Sequence, residues 1–178
     1  KWSEMIQRIM IAAPMSGSGK TTVTCGLLAA LKKRGRNPVS FKCGPDYIDP
    51  MFHRRMLGIS SDNLDPYFLG QSDICHLLAE DAQRAGSDFA LIEGVMGLYD
   101  GLGGVSEEAS SYQLAVWTKT PIILVVRAGG IGRSLISLLR GFMDDDREGL
   151  IRGCILNQAS PSFYPRLKLL IEEELKLP

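Results

Sequence analysis

The sequence predicts an α/β fold, a doubly wound and mostly parallel sheet with helices on both faces. The first reason is order: short apolar runs alternate along the whole chain with longer segments whose apolar residues recur at three- and four-residue spacing, as crossover connections between parallel strands require. The second is the run 121–126 (PIILVV), aliphatic without a break, which reads as a strand buried on both faces. The third is the opening stretch, where a strand, a glycine-rich loop and a helix follow one another directly.

That opening stretch is 8–24, RIMIAAPMSGSGKTTVT. Residues 9–13 form a strand. A loop of Pro14, Ser16, Gly17, Ser18 and Gly19 follows, and Lys20, Thr21 and Thr22 open a helix with Val23, Leu27, Leu28 and Leu31 on its apolar stripe. Such a loop cradles phosphate. Backbone N–H groups and the helix N-terminus converge on the anion, Lys20 reaches the outer phosphates, and Thr21 offers its hydroxyl to magnesium. Pro14 stands where GxxxxGK[ST] has its first glycine, but the donors come from 17–21, so the missing N–H removes none of them. The nucleotide-binding set is Ser16, Gly17, Ser18, Gly19, Lys20, Thr21 and Thr22.

Lys32, Lys33, Arg34 and Gly35 end the first helix, and 38–42 (PVSFK) is the second strand, ending at Lys42. The segment 43–53, CGPDYIDPMFH, has two prolines and places Asp46 and Asp49 three residues apart. Its prolines exclude a regular strand and oppose a regular helix before Pro50 is passed. Lying at the carboxyl ends of the strands, it is a site candidate. Two readings stand: a carboxylate pair that holds magnesium or orients a substrate, or an aspartate–proline turn.

A turn-rich connection, 63–70 (NLDPYFLG), leads to a helix over 72–84 with Ser72 or Asp73 as N-cap. The strand 89–92 ends at Glu93, an acid beside the phosphate loop able to hold magnesium. Glycine-rich 94–104 reads as a mobile loop over the site, carrying Tyr99 and Asp100. Ser110 and Ser111 precede a helix ending near Trp117; either they cap it, or its N–H groups receive a carboxylate. After the strand at 121–126 come a helix over 134–143, an acidic run 144–146 read as a solvated helix end, and a strand 151–157. Asn157 at that strand's tip either reads a nucleotide base or forms a turn. A last helix spans 164–175.

At 178 residues the chain is one domain with room for a core. Lysine plus arginine and aspartate plus glutamate number 20 each, so no net field recruits nucleic acid or a membrane surface, and neither partner is expected. The apolar runs fall far short of the roughly 20 residues of a membrane helix. The N-terminal KWSEMIQR lacks a signal-peptide core, so a cytoplasmic protein is expected, with Met5 rather than Lys1 as its native start. Cys25, Cys43, Cys75 and Cys154 are widely spaced with only His53 and His76 to accompany them, a pattern of reduced thiols rather than of a zinc site.

Taken together, SGSGKTTVTCGLL, FKCGPDYIDPMFH, NLDPYF, EGVMGLYDG and ILN resemble the ATP-binding part of cobyrinic acid a,c-diamide synthases, P-loop proteins distantly similar to dethiobiotin synthetase. The second and fourth segments are the specific ones, since P-loops occur widely. The resemblance implies ATP- and magnesium-dependent amidation of the a and c carboxylates of a corrin through an acyl phosphate, in cobalamin biosynthesis. It also implies roles: Lys20 on the β and γ phosphates, Thr21 and Glu93 on magnesium, Asp46 in that shell or on the reacting carboxylate, and Lys42 on the acyl phosphate. Tyr47, Asp49, Tyr99, Asp100 and Ser110 would face the corrin.

Two departures stand out. Arg127 occupies a position that is often aspartate in the family, so that acid's role does not transfer. The family also continues into a glutamine amidotransferase domain that supplies ammonia; none of the four cysteines here sits in a GxCxG context, so this chain reads as a truncated synthetase domain without glutaminase activity. A homodimer is a family expectation. Other readings are a nickel sirohydrochlorin or cobyric acid type amidase, a dethiobiotin synthetase, a partitioning-type ATPase, or an inactive nucleotide-binding fragment. Against the ATPase, Met15 stands where that class carries an extra lysine.

Overall fold

The computed structural model describes residues 6–178; the expected start at Met5 lies outside them. Six parallel strands form one sheet in the order β3-β2-β4-β1-β5-β6. In chain order the elements are β1 (Gln7–Ala12), α1 (Lys20–Lys33), β2 (Pro38–Cys43), α2 (Ile48–Phe52), β3 (Ser61–Leu64), α3 (Gln71–Arg84) and β4 (Phe89–Glu93). After them come α4 (Ser111–Thr118), β5 (Ile122–Arg127), α5 (Ser134–Asp144), β6 (Ile151–Asn157) and α6 (Tyr164–Leu175). No helix among the described residues is long and apolar enough to cross a membrane.

Helices cover both faces, unequally. On one face Leu28, with Val23 and Leu27, packs from α1 onto Ile11, Leu91 and Val125. On the other, Ile74 and Leu78 of α3, Leu114 of α4, Leu135 and Leu139 of α5 and Ile171 of α6 close over Met10, Phe41, Ile92 and Leu124. Central strands buried on both sides account for the unbroken aliphatic character of β5. The sheet order reverses between β1 and its neighbours, so the phosphate loop after β1 lies beside the C-terminal ends of β4 and β5, the usual place for a ligand in such sheets.

Several expectations need correction. Asn63 and Leu64, expected at the start of the turn-rich connection 63–70, belong instead to β3, held by pairing with β2 (Lys42 opposite Asn63). The 43–53 segment turns helical before Pro50, because a proline in the first helical turn forfeits only an N–H that has no intrahelical partner. It then widens into a π-helical turn, His53–Leu57, closed by Gly58 at φ 60°. Neither Ser72 nor Asp73 caps α3: Gly70 is the N-cap and Asp73 lies in the first turn.

The acidic run is not simply solvated, since Asp146 accepts hydrogen bonds from Tyr112 Oη (3.1 Å) and Ile151 N (2.6 Å) and ties α4 to the start of β6. Nor is the loop after β4 loose over the site. Leu98 is fully buried and its N–H donates to Ala13 O at 2.8 Å.

Candidate functional site

The phosphate loop keeps the conformation its glycines permit. Gly17 and Gly19 have φ of 76° and 99°, Ser18 is buried with its hydroxyl on Met15 O at 2.9 Å, and Ser16 and Thr22 are exposed. At Gly19 a Cβ would meet Asn157 Nδ2 at 2.3 Å. The Asn157 amide donates to Ser18 O at 2.8 Å, so here it braces the phosphate loop from the tip of β6.

Lys20 is buried. Its ammonium donates to Met96 O at 2.6 Å and reaches Met15 O at 3.4 Å, linking the phosphate loop to the loop after β4. Burial and then the nearby Lys42 charge hold its pKa below the ordinary lysine value.

At the centre lies Glu93, with no exposed surface. Its Oε1 accepts from Thr21 Oγ1 at 2.6 Å and from Lys42 Nζ at 2.8 Å, while Oε2 is buried without a partner. Lys42 also donates to Asp49 Oδ2 at 2.7 Å and lies 3.8 Å from Asp46 Oδ2. Burial opposes the Lys42 charge, but the Glu93 charge and the hydrogen bonds to Asp49 and Glu93 outweigh it and hold its pKa above the ordinary value. The β2–β4 register aligns Lys42 with Glu93, which is why two strand-end residues distant in sequence meet.

An orphan carboxylate oxygen next to a threonine hydroxyl and a helix N-terminus is a donor set that suits magnesium bound to a nucleotide's phosphates. The residues present fit the pair of cofactors expected from the sequence.

Asp46 has two attachments. Oδ1 accepts the N–H of Ile48 (2.8 Å) and Asp49 (3.2 Å), so it starts α2 as a side-chain cap, and Oδ2 faces Lys42. Asp46 thus shapes the turn into α2 with one oxygen while the other faces the Lys42 ammonium. Beside it is a groove of about 560 Å³ lined by Cys43, Asp46, Tyr47, Ile48, Val95 and Met96. Tyr47 and Ile48 are 81% and 73% exposed, unusual for side chains of their kind.

Three residues expected at the substrate face make hydrogen bonds within the protein itself. Tyr99 packs against Tyr112 and Phe142 and donates its hydroxyl to Phe142 O at 2.6 Å. Ser110 is fully buried and accepts Gln113 N at 3.1 Å as the cap of α4, the simpler of its two readings. Asp100 accepts Gly97 N at 2.9 Å, so it shapes the loop that meets Lys20. Arg127 is exposed at the tip of β5, opposite Asn157.

Two groups hold the site in ways the sequence reading did not give: Ser111, read there only as a cap or anion site, and Met96. Ser111 Oγ binds both the N–H (2.9 Å) and the carbonyl (3.2 Å) of Val95, fixing the chain beyond Glu93. Met96 serves through its carbonyl alone, which no side-chain pattern signals.

Comparison with known proteins adds lineage to this geometry. Residues 9–178 match the family described as the CobQ/CobB/MinD/ParA nucleotide binding domain. A cobyrinate a,c-diamide synthase of Listeria innocua is 43% identical over 176 residues, which is 97% of this chain and 38% of that protein. A hydrogenobyrinate a,c-diamide synthase of Streptomyces coelicolor is 46% identical over 162 residues, 91% of this chain and 33% of the other. This chain therefore spans only about a third of the length of the relatives it matches. Among solved structures, the signal recognition particle 54 kDa protein of Aeropyrum pernix, in complex with GDP, superposes with a TM-score of 0.69 at 17% identity, over 98% of this chain and 40% of that one. The signal recognition particle receptor FtsY of Elizabethkingia anophelis has the same TM-score at 12% identity, over 98% and 57%. At such identities the likeness is one of fold.

Proposed function

Because the chain belongs to the CobQ/CobB/MinD/ParA nucleotide binding domain family, we propose that it is the ATP-dependent amidoligase part of a cytoplasmic a,c-diamide synthase of cobalamin biosynthesis. The observation that carries this reading is the placement of Lys42. It stands between the Glu93–Thr21 pair beside the phosphate loop and the Asp46–Asp49 pair beside the apolar groove. A cation at that junction can touch both a nucleotide's outer phosphate and a carboxylate brought to it.

The chemistry assigned to the site is two displacements. A carboxylate oxygen of the corrinoid attacks the γ-phosphorus of ATP, and ADP leaves. Ammonia then attacks the acyl carbon, phosphate departs with the bonding pair, and the surplus proton passes to solvent or to a carboxylate such as Asp46. The first displacement joins two anions, so the site must supply cations and aligned donors rather than a strong base. Lys20 and the loop N–H groups hold the β and γ phosphates, and Lys42 neutralises the oxygens shared with the acyl group. Thr21 and Glu93 hold magnesium, which would draw charge from the phosphates. Tyr47 and Ile48 offer apolar surface to a flat macrocycle, a role their exposure supports. Ammonia would be supplied from glutamine by an amidotransferase domain of the kind the resemblance implies.

The test is ADP release with ATP, magnesium, ammonium and either cobyrinate or hydrogenobyrinate. Corrinoid-dependent ADP release with amide formation, absent in Lys20→Ala, is the expected result. ATP turnover indifferent to both corrinoids, but stimulated by a diamino acid and bicarbonate, would replace this reading with a dethiobiotin synthetase.

A further inference from the structure

On the α1 face, behind Lys42, lies a chain of polar side chains to which the scheme above gives no role. His53 is 2% exposed, and Ser40 and Ser61 are fully buried. The imidazole Nδ1 is 3.0 Å from Ser40 Oγ and 3.4 Å from Ser61 Oγ, and Nε2 is 3.5 Å from Cys25 Sγ.

The hydroxyl of Ser40 donates to Ser61 Oγ at 2.7 Å. Ser40 can therefore only accept from the imidazole, which places the ring proton on Nδ1. Nε2 is left bare to accept the Cys25 S–H. Burial pushes the Cys25 thiol up and the His53 pKa down, so both stay neutral and the assignment is self-consistent.

These contacts join the elements that carry the site. Cys25 lies on α1 one turn beyond Thr21. Ser40 is two residues before Lys42 on β2, and Ser61 is on β3. His53 directly follows α2, four residues after Asp49, and opens the π-helical turn. Its carbonyl accepts Ile59 N at 3.1 Å, and Lys32 on α1 donates to Leu57 O at 2.5 Å, so the turn is anchored on both sides. A π-helical turn in a short segment marks a place where regular geometry yields to another demand.

We propose that His53 is a positioning residue: by bonding Ser40 and Cys25 at once, it fixes α2 against β2 and α1 so that the Asp49 carboxylate stays on Lys42. The proposal rests on the ligase reading only for what Lys42 then does; the clamp itself is a property of the fold.

The chain labelled with [ε-13C]lysine allows Lys42 to be followed by NMR through a pH titration without nucleotide or corrinoid. In His53→Leu, which keeps bulk but loses both ring nitrogens, the Lys42 titration shifts down towards that of an ordinary lysine. Corrinoid-dependent ADP release falls by about tenfold or more, as small displacements of reacting groups do. ATP affinity stays within about twofold, because no phosphate donor moves. In His53→Asn, whose amide N–H can still donate to Ser40, most of both losses is recovered. An unchanged Lys42 titration in a folded His53→Leu overturns the proposal, as does an Asn variant no better than Leu, since the ring would then only fill space. Should His53→Leu not fold, Ser40→Ala carries the test: it must reproduce the Lys42 shift, and an unshifted Lys42 sinks the clamp. Wild-type chain that amidates no corrinoid, while His53→Leu still lowers the Lys42 titration, would refute the ligase reading and leave the clamp standing.

Discussion

Lys42 Nζ lies 2.8 Å from the same Glu93 oxygen that accepts the Thr21 hydroxyl at 2.6 Å. An ammonium and a hydroxyl therefore share that one oxygen, and the other Glu93 oxygen, buried without a partner, is the one left to a divalent cation. Lys42→Met should leave Glu93 buried without a cation and cost about 3–5 kcal/mol of stability. Magnesium with ADP would return part of that, so its rise in Tm should be larger in the variant than in the wild type. Equal rises would mean that Glu93 does not bind the metal. Glu93→Gln, conversely, should lose magnesium–nucleotide affinity and be partly rescued by raised magnesium.

The same pair predicts an alkaline limit. The folded Lys42 pKa is raised, so the folded state keeps a proton that the unfolded state has lost. Its contribution is fully present below the unfolded lysine value of about 10.4 and is lost as pH rises through the folded value. Urea unfolding across that window should show the wild-type advantage over Lys42→Met shrinking with pH. An advantage that does not change would remove Lys42 from the charge balance.

Lys20 bridges Met96 O and Met15 O while its pKa is lowered by burial. Truncating it should abolish the strongest charged contact to nucleotide, weakening ATP binding by about ten- to a hundredfold, with the circular dichroism spectrum unchanged. ATP binding at wild-type strength in Lys20→Ala would refute the phosphate cradle.

Asp46 both caps α2 and faces Lys42. Asn at this position can still accept the two backbone N–H groups, so Asp46→Asn should retain the fold and nucleotide affinity and lower amidation selectively. Equal losses of both would confine Asp46 to the nucleotide shell. Asp46→Ala should add the loss of a cap, roughly 1 kcal/mol by denaturant titration.

What could be read in advance divides along physical lines. The phosphate loop, Lys42 and Glu93 were legible because they combine side-chain chemistry with a strand-end position that hydrophobic runs mark clearly. Strand β3 was not: Ser61–Leu64 (SDNL) has little intrinsic strand character and is a strand only because β2 pairs with it. Tyr99 comes from a loop segment whose hydroxyl found a distant partner, Phe142 O, brought near only by folding, whereas Ser110 caps its own helix, one of the two readings its position allowed. His53 came into view merely as a companion to cysteines. That it lies against Cys25 and two buried serines depends on the π-helical turn, which leaves no periodic trace.

Gly19 offers the most local test of the brace between Asn157 and the phosphate loop. Its φ of 99° is costly for any side chain, and a Cβ there would lie 2.3 Å from the Asn157 amide. Asn157 is part of a strand end and cannot withdraw without giving up its hydrogen bond to Ser18 O. Gly19→Ala should therefore cost about 1–3 kcal/mol from backbone strain and weaken nucleotide binding further by displacing the amide. Adding Asn157→Ala to Gly19→Ala removes the clash but not the φ penalty, so the double variant should regain part of the stability lost, a non-additivity expected of residues in contact. Additive losses would mean that Asn157 moves aside freely, leaving its other reading, contact with the nucleotide base, to account for any loss of ATP affinity in Asn157→Ala alone.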